Sequence, residues 1–365
     1  MPHHHASKPP SKTLVTGVVL FYLAAALAMV VANKWVLNST ETPLFFLFAQ
    51  LVIAVILFVI SDALRLLPDR LTFDLNVCKG LVPMVSLSVI GLSFSNYTLA
   101  HVDASFYQVA RGLVLPLTVL SSFIVLHARP SVKIGLACTI VTLGFFTGVF
   151  FDGIKPSKVG LAFGIASSAI TAIHSVVIKR SLAVVNGSAL MLSWYTNLLS
   201  AGVLLPGVVL VGEAPGVMRL LFGDAGAATT AATSNVLSTF LWGSLITGVL
   251  GFLMSIASLL SIKVTSPITH MISSAVRGVA ASFLGMWFFG DVITSGRASS
   301  IAVILLGSIY YTWVKHEESQ QASKGADGAA GSASATGRDG RGAYERVNME
   351  ELDLEAAKHK EDKPE

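Results

Sequence analysis

Two arginines, Arg111 and Arg277, stand inside long apolar stretches, each followed by a glycine. A charge at the centre of a membrane-spanning helix costs about 2.5–3.5 kcal/mol on insertion scales, so it normally faces a polar cavity and finds a partner there. The nine carboxylates before Lys315 are Glu41, Asp62, Asp69, Asp74, Asp103, Asp152, Glu213, Asp224 and Asp291. All fall at the ends of apolar stretches or in the connections between them. The partner left by this inventory is an anion that comes and goes. A planar guanidinium suits phosphate oxygens in a bidentate arrangement, so Arg111 and Arg277 are read as phosphate-binding groups. The alternative is that each bonds backbone carbonyls or snorkels to an interface.

Other polar residues fall around the arginines by helical spacing. Tyr107, Gln108 and Arg111 share one helix face, as do His270, Ser274 and Arg277. With Asn96 and Lys34 they are expected to line a cavity, Lys34 either at its mouth or snorkelling outward. Trp194, Tyr195 and Asn197 combine aromatic surface with an amide, the chemistry that stacks a nucleobase and hydrogen-bonds its edge. Asn96, Tyr97 and Gln50 add donors. His174 reads as a hydrogen-bonded interior histidine. There is no metal-ligand spacing, no phosphate-cradling glycine loop and no nucleophile elbow, so neither an enzyme nor a bound cofactor or metal is expected. Proton-coupled carriers usually hold a central acid or histidine relay; here the only central candidates are His174 and His270, and the lack of a central acid favours exchange of one anion for another.

The elements that must position these residues are helices in a bilayer. Of 365 residues 53% are hydrophobic and 13% charged, about half the charged share of a soluble domain, and the mean hydropathy is +0.71. A water-soluble enzyme, a nucleic-acid module and a disordered scaffold are thereby excluded. Ten apolar stretches, near 14–32, 43–61, 81–100, 103–126, 133–151, 159–178, 190–211, 236–262, 266–289 and 299–314, are mostly long enough to span a membrane. The expected fold class is all-α. The fourth and ninth stretches carry the Arg-Gly pairs, each fourth in a set of five. Five is odd, so the halves enter the membrane from opposite sides, as in inverted repeats with a midplane site between them. The expected domains are 1–13 as an N-terminal segment, 14–151 and 159–316 as five-helix repeats, and 317–365 as a disordered acidic tail. Small residues at four-residue spacing (Gly160, Gly164, Ser168, Ala172, then Gly243, Thr247, Gly251, Ser255) make ridges for close helix packing.

Of 25 basic and 21 acidic residues, eight and twelve lie from Lys315 onward, which leaves seventeen and nine in the membrane body. Basic residues in the connections favour one side by eleven to five, which puts both termini in the cytosol. The first span reads as an uncleaved anchor, and the 212–235 connection as a spacer. Cys78 and Cys138 imply no disulfide framework. Tyr344, Glu345, Arg346 and Val347 match a tyrosine-based sorting pattern of the kind that also arises by chance.

With these stretches in hand, residues 14–316 resemble the drug/metabolite transporter superfamily. The resemblance is to its triose-phosphate and nucleotide-sugar branch, nearest in pattern to Golgi GDP-fucose transporters. It is carried by Asn33, Lys34, Trp35, Val36 and Leu37, by Ser105, Phe106, Tyr107, Gln108, Val109, Ala110 and Arg111, by Trp194–Asn197 after Asn186 and Gly187, by 263–270 and by Tyr311–Val314. It implies an antiporter that brings a cytosolic nucleotide sugar into the lumen of the Golgi or the endoplasmic reticulum and returns a nucleoside monophosphate. Its partners would be those two solutes and the lipid bilayer, without nucleic acid; a homodimer stays open. Where GDP-sugar carriers show Phe-Tyr-Asn-Asn, this chain has Trp194, Tyr195, Thr196 and Asn197. The Gly-Ala-Leu-Asn-Lys motif of GDP-mannose carriers is matched by Ser273, Ser274, Ala275, Val276 and Arg277, which argues against GDP-mannose. The span-nine lysine of GDP-fucose carriers is replaced by Arg277. A smaller phosphorylated solute, or a non-transporting membrane regulator with the same fold, stays open.

Overall fold

The computed structural model describes residues 12–126, 129–153, 155–223, 231–264 and 267–330, with side chains except at 12–15, 126, 179, 231–234, 257–276, 319 and 322–330. Twelve α-helices account for nearly all of them: α1 Lys12–Leu37, α2 Pro43–Ala63, α3 Leu75–His101, α4 Ala104–Gly112, α5 Val114–Leu126, α6 Val132–Phe150, α7 Lys158–Val184, α8 Ala189–Leu210, α9 Ala214–Phe222, α10 Ala231–Val264, α11 Pro267–Phe289 and α12 Ser295–Ala330. No strand occurs among the described residues. Nine stretches of described residues are long and apolar enough to cross a membrane. α11 coincides with the ninth apolar stretch, and its side chains are described only from Arg277 onward. The protein is a polytopic, all-helical membrane protein.

The helices start where their caps dictate. Ser131, Ser157 and Ser188 each accept the backbone N–H three residues on, and Asp74 accepts that of Asn76. The fourth apolar stretch is not one straight helix. Pro116 cannot donate to the Gly112 carbonyl and its ring crowds that oxygen. The chain tightens there, Leu113 N–H donating to Ala110 O at 3.2 Å, and the stretch divides into α4 and α5. The break comes one residue after Arg111.

Two further departures from the sequence reading have simple causes. The 212–235 connection is more than a spacer. Gly212 (φ +85°) and Gly223 (φ +74°) turn the chain at either end of α9. The buried Glu213 carboxylate accepts the N–H groups of Leu44 and Phe45 at 3.0–3.1 Å, capping α2, and the Tyr97 hydroxyl at 2.9 Å. At the other end of the chain, α12 runs on to Ala330, past the expected start of a disordered tail at 317. Residues 315–324 are rich in good helix formers, with a Lys315–Glu318 pair at i, i+3. The Tyr344 motif and the rest of the tail lie outside the described residues.

Successive spans alternate in direction, which gives the bundle two faces: a terminal face, where α1 begins and α12 leaves, and a distal face. α1 packs on α10 and α11, α2 on α8 and α10, α3 on α7 and α8, and α6 on α12. The small-residue ridges make these contacts close. A Cβ on Gly160 would overlap Val102, and one on Gly243 would overlap Val36. Ser168 Oγ donates to Ala110 O at 2.8 Å. Glycine and serine there let backbones approach.

The distal face is tied by charge. Lys34 Nζ donates to Leu99 O at 2.8 Å and Val102 O at 2.7 Å, so α1 caps the end of α3. Arg297, 1% exposed, pairs with Asp152 at 2.8 Å and Asp103 at 2.9 Å, and also donates to Ser105 Oγ at 2.8 Å. Thr294 Oγ1 donates to Asp152 at 2.5 Å. Burial pushes the carboxyl of neighbouring Asp291 up from its ordinary range. Removing one partner of a buried pair leaves the other charge uncompensated and costs about 3–5 kcal/mol, whereas apolar replacement of both is often neutral. Arg297→Ala should therefore lower the thermal midpoint of the purified protein strongly, and Arg297→Met with Asp152→Leu should recover most of the loss. A single variant as stable as the parent would contradict this.

Candidate functional site

Arg111 ends the last turn of α4, and Arg277 lies near the middle of α11, which packs against α4. A cation in a helix's last turn is favoured by the exposed carbonyls there, so the break at Gly112 both places Arg111 and supports its charge. Despite their depth, Arg111 is an exposed residue and Arg277 is half-buried. The reason is a cavity of about 500 Å³ that both line. Gln108, Thr118, Thr171, Ser175, Ser308 and Tyr311 add polar atoms to its walls. No carboxylate is found among the described residues that line it.

The guanidiniums have neutral supports. Arg111 donates to the Tyr107 hydroxyl at 3.2 Å, which shares a 2.6 Å hydrogen bond with Ser95. Arg277 donates to the Tyr22 hydroxyl and feels the like charge of Arg111. Hydroxyl oxygens orient a guanidinium without cancelling its charge, so two positive groups face one cavity. That arrangement can hold a multiply charged anion by charge-assisted, bidentate hydrogen bonds.

The cavity lies on the terminal side of the ion pairs. Its walls on α12 run from Ile301 to Thr312, roughly 16 Å at 1.5 Å per residue, whereas Arg297 sits beyond Ile301 toward the distal face.

Residues 13–312 match the model of the Triose-phosphate Transporter family. The chain belongs to that family. "GDP-fucose transporter 1" of Dictyostelium discoideum is 29% identical over 322 residues, 85% of this chain and 83% of that protein. The Nematostella vectensis protein of the same name is 30% identical over 325 residues, 84% of this chain and 91% of the other. "GDP-fucose transporter, Golgi" of Drosophila melanogaster is 29% identical over 315 residues, 82% of this chain and 90% of the other.

Not every candidate residue of this family member meets at the cavity. Gln108 lines it beside the arginines, and Tyr107 faces a smaller cavity that adjoins Arg111. Lys34 is spent on the carbonyls of α3. Asn96, buried, donates to Pro43 O at 3.4 Å. Trp194 and Tyr195 lie one to two turns from the start of α8, on the terminal face. Trp194 Nε1 donates to Thr72 O at 3.2 Å, and the Tyr195 hydroxyl accepts from the Asp74 N–H at 2.8 Å. Both are buried, and neither lines the two cavities. Asn197 donates to Ser193 O at 2.7 Å, within its own helix. The side chains of His270 and Ser274 lie outside the described residues. Sequence reasoning missed Tyr22, a lone tyrosine on an otherwise apolar first span. The signal was there, since a tyrosine hydroxyl within an apolar span needs a partner.

A hydrogen bond to a charged group contributes about 1.5–3 kcal/mol. Arg111→Ala and Arg277→Ala should each weaken binding of inorganic pyrophosphate by roughly 10- to 150-fold, read by titration calorimetry. Each should leave the thermal midpoint of the ligand-free protein unchanged or higher, because one of two like charges is gone. Arg277→Lys should keep part of the affinity, since charge survives and the bidentate fork does not. Undiminished binding by either alanine variant would remove that arginine from the site.

Proposed function

We propose that the protein is a secondary-active antiporter that exchanges a cytosolic nucleotide sugar of the GDP-fucose type for a lumenal nucleoside monophosphate across the Golgi membrane. The observation that carries this reading is the pair of arginines, Arg111 and Arg277, facing one cavity whose described walls hold no carboxylate. The names of the relatives above supply the substrate class. The packing of α1 on α10 and of α3 on α7 relates first to eighth span and third to sixth. That pattern supports two inverted five-span repeats, 14–151 and 159–316. The excess of basic residues at the terminal face supports cytosolic termini.

The mechanism follows from electrostatics. In the empty carrier two guanidiniums would have to pass a low-dielectric barrier with no bound anion, at a cost of several kcal/mol per ion. A diphosphate or monophosphate bound between them cancels much of that charge. Loaded forms therefore reorient and the empty form does not, so influx of one nucleotide is tied to efflux of another. The distal ties through Arg297 hold the cavity shut on the lumenal side while it is reached from the cytosol. No proton has to move.

The test is uptake of radiolabelled GDP-fucose into proteoliposomes, either preloaded with GMP or empty, at matched and unmatched pH. Uptake should rise at least about 10-fold with preloading and change little with a proton gradient. Equal rates in loaded and empty vesicles would refute exchange. Strong acceleration by a pH gradient would assign proton coupling to His174 or His270.

A further inference from the structure

Behind Arg111 lies a second cavity of about 150 Å³ between α3, α4 and α7. It shares Arg111, Val114 and Thr171 with the larger one, so the two adjoin across that wall, while Arg277 lines the larger alone. At ~30 Å³ per molecule it has room for about five waters, or for a single ion with part of its hydration shell.

A hydroxyl carries one hydrogen and two lone pairs, so the donors of this cavity can be followed one by one. Some are committed to helix carbonyls. Thr98 Oγ1 donates to Phe94 O at 2.7 Å, Ser167 Oγ to Gly91 O at 3.3 Å, and Ser168 Oγ to Ala110 O at 2.8 Å. Others are not. Arg111 Nη1 donates to the Tyr107 hydroxyl at 3.2 Å, and that hydroxyl shares a 2.6 Å hydrogen bond with Ser95 Oγ. Whichever of the two hydroxyls donates, one hydrogen of the pair is left over. The hydroxyls of Ser88 on α3 and Thr171 on α7 make no hydrogen bond among the described residues. A guanidinium has five N–H donors, so Arg111 keeps several beyond the one that Tyr107 accepts. Three O–H donors and one fixed positive charge thus border one small cavity, and no carboxylate is among the described residues that line it.

That donor set takes an anion, and charge selects its class. One guanidinium balances one negative charge. Leu87, Leu92 and Val114 complete the lining with aliphatic surface, against which any further charge would stay uncompensated. We propose that the smaller cavity is a site for a monovalent halide, chloride in the cell, held by Arg111, Ser88, Thr171 and the Ser95–Tyr107 pair. A halide there and a phosphate in the larger cavity draw on the same guanidinium, so the two compete. Arg277 does not reach the smaller cavity, so the halide leaves its charge in place and does not substitute for a bound nucleotide. The site stands on these donors alone and does not depend on which solute is carried.

The test replaces sodium gluconate by sodium chloride at constant ionic strength, which holds screening fixed, with the purified full-length protein. The thermal midpoint should rise with chloride and saturate, and bromide should act likewise. Arg111→Ala should abolish the saturable rise. Ser88 lines only the smaller of the two cavities, and Ser88→Ala removes one donor without adding bulk. It should raise the half-saturating chloride concentration by about 2- to 10-fold and leave pyrophosphate affinity in gluconate unchanged. In the parent, chloride at about ten times its own dissociation constant should weaken pyrophosphate about 11-fold by mass action, read by titration calorimetry. Equal midpoints in the two salts, or a chloride effect that survives in Arg111→Ala, overturn the halide site. A rise with inorganic phosphate and none with chloride overturns it as well.

Discussion

A guanidinium inside a membrane protein must be stabilised by something, and three arginines of this chain meet that requirement in two ways. Arg297 is held from within: at 1% exposure its Nε and Nη1 donate to two carboxylates, a serine hydroxyl and a backbone carbonyl. Arg111 and Arg277 face a cavity and lean on tyrosine hydroxyls that orient them without neutralising them. The first arrangement closes one end of the bundle. The second leaves a positive site open at its centre. The proposed function rests on that difference, because a charge paired with carboxylates holds helices together, whereas one held on neutral hydroxyls beside a cavity can take up an anion.

The rest of the architecture serves to keep these charges in place. Pro116 breaks the fourth span where its carbonyls can support Arg111. Gly160, Gly164 and Ser168 bring α7 against α3 and α4, which encloses the smaller cavity and turns serine oxygens toward it. Glu213 caps the start of α2 and Lys34 the end of α3, which ties both helix ends at the distal face. The carboxylate of Glu213 and the ammonium of Lys34 are thereby satisfied, as buried charges must be where water is scarce.

Sequence alone made the central pair legible because its signal is chemical: an arginine in an apolar helix has few explanations. Helical spacing likewise put Tyr107 and Gln108 beside Arg111. Spacing fails where the question is which neighbour a face meets. Trp194 and Tyr195 read as a stacking surface, yet their polar atoms are engaged by Thr72 and Asp74, residues more than a hundred positions away. Lys34 read as a cavity residue and instead caps a helix. Arg297, Asp103 and Asp152 read as separate loop charges. Only the fold brings three connections together around the buried Arg297, and no local pattern records that meeting. The kink at Gly112 was implicit in Pro116, four residues on, and tolerance of proline in membrane helices hid it.

The most direct measurement is a structure of the protein with GDP-fucose bound. The diphosphate should lie between Arg111 and Arg277, with guanidinium nitrogens about 2.7–2.9 Å from phosphate oxygens on both sides. A diphosphate held elsewhere, or out of hydrogen-bond reach of either arginine, would contradict the claim that the paired arginines are the substrate site.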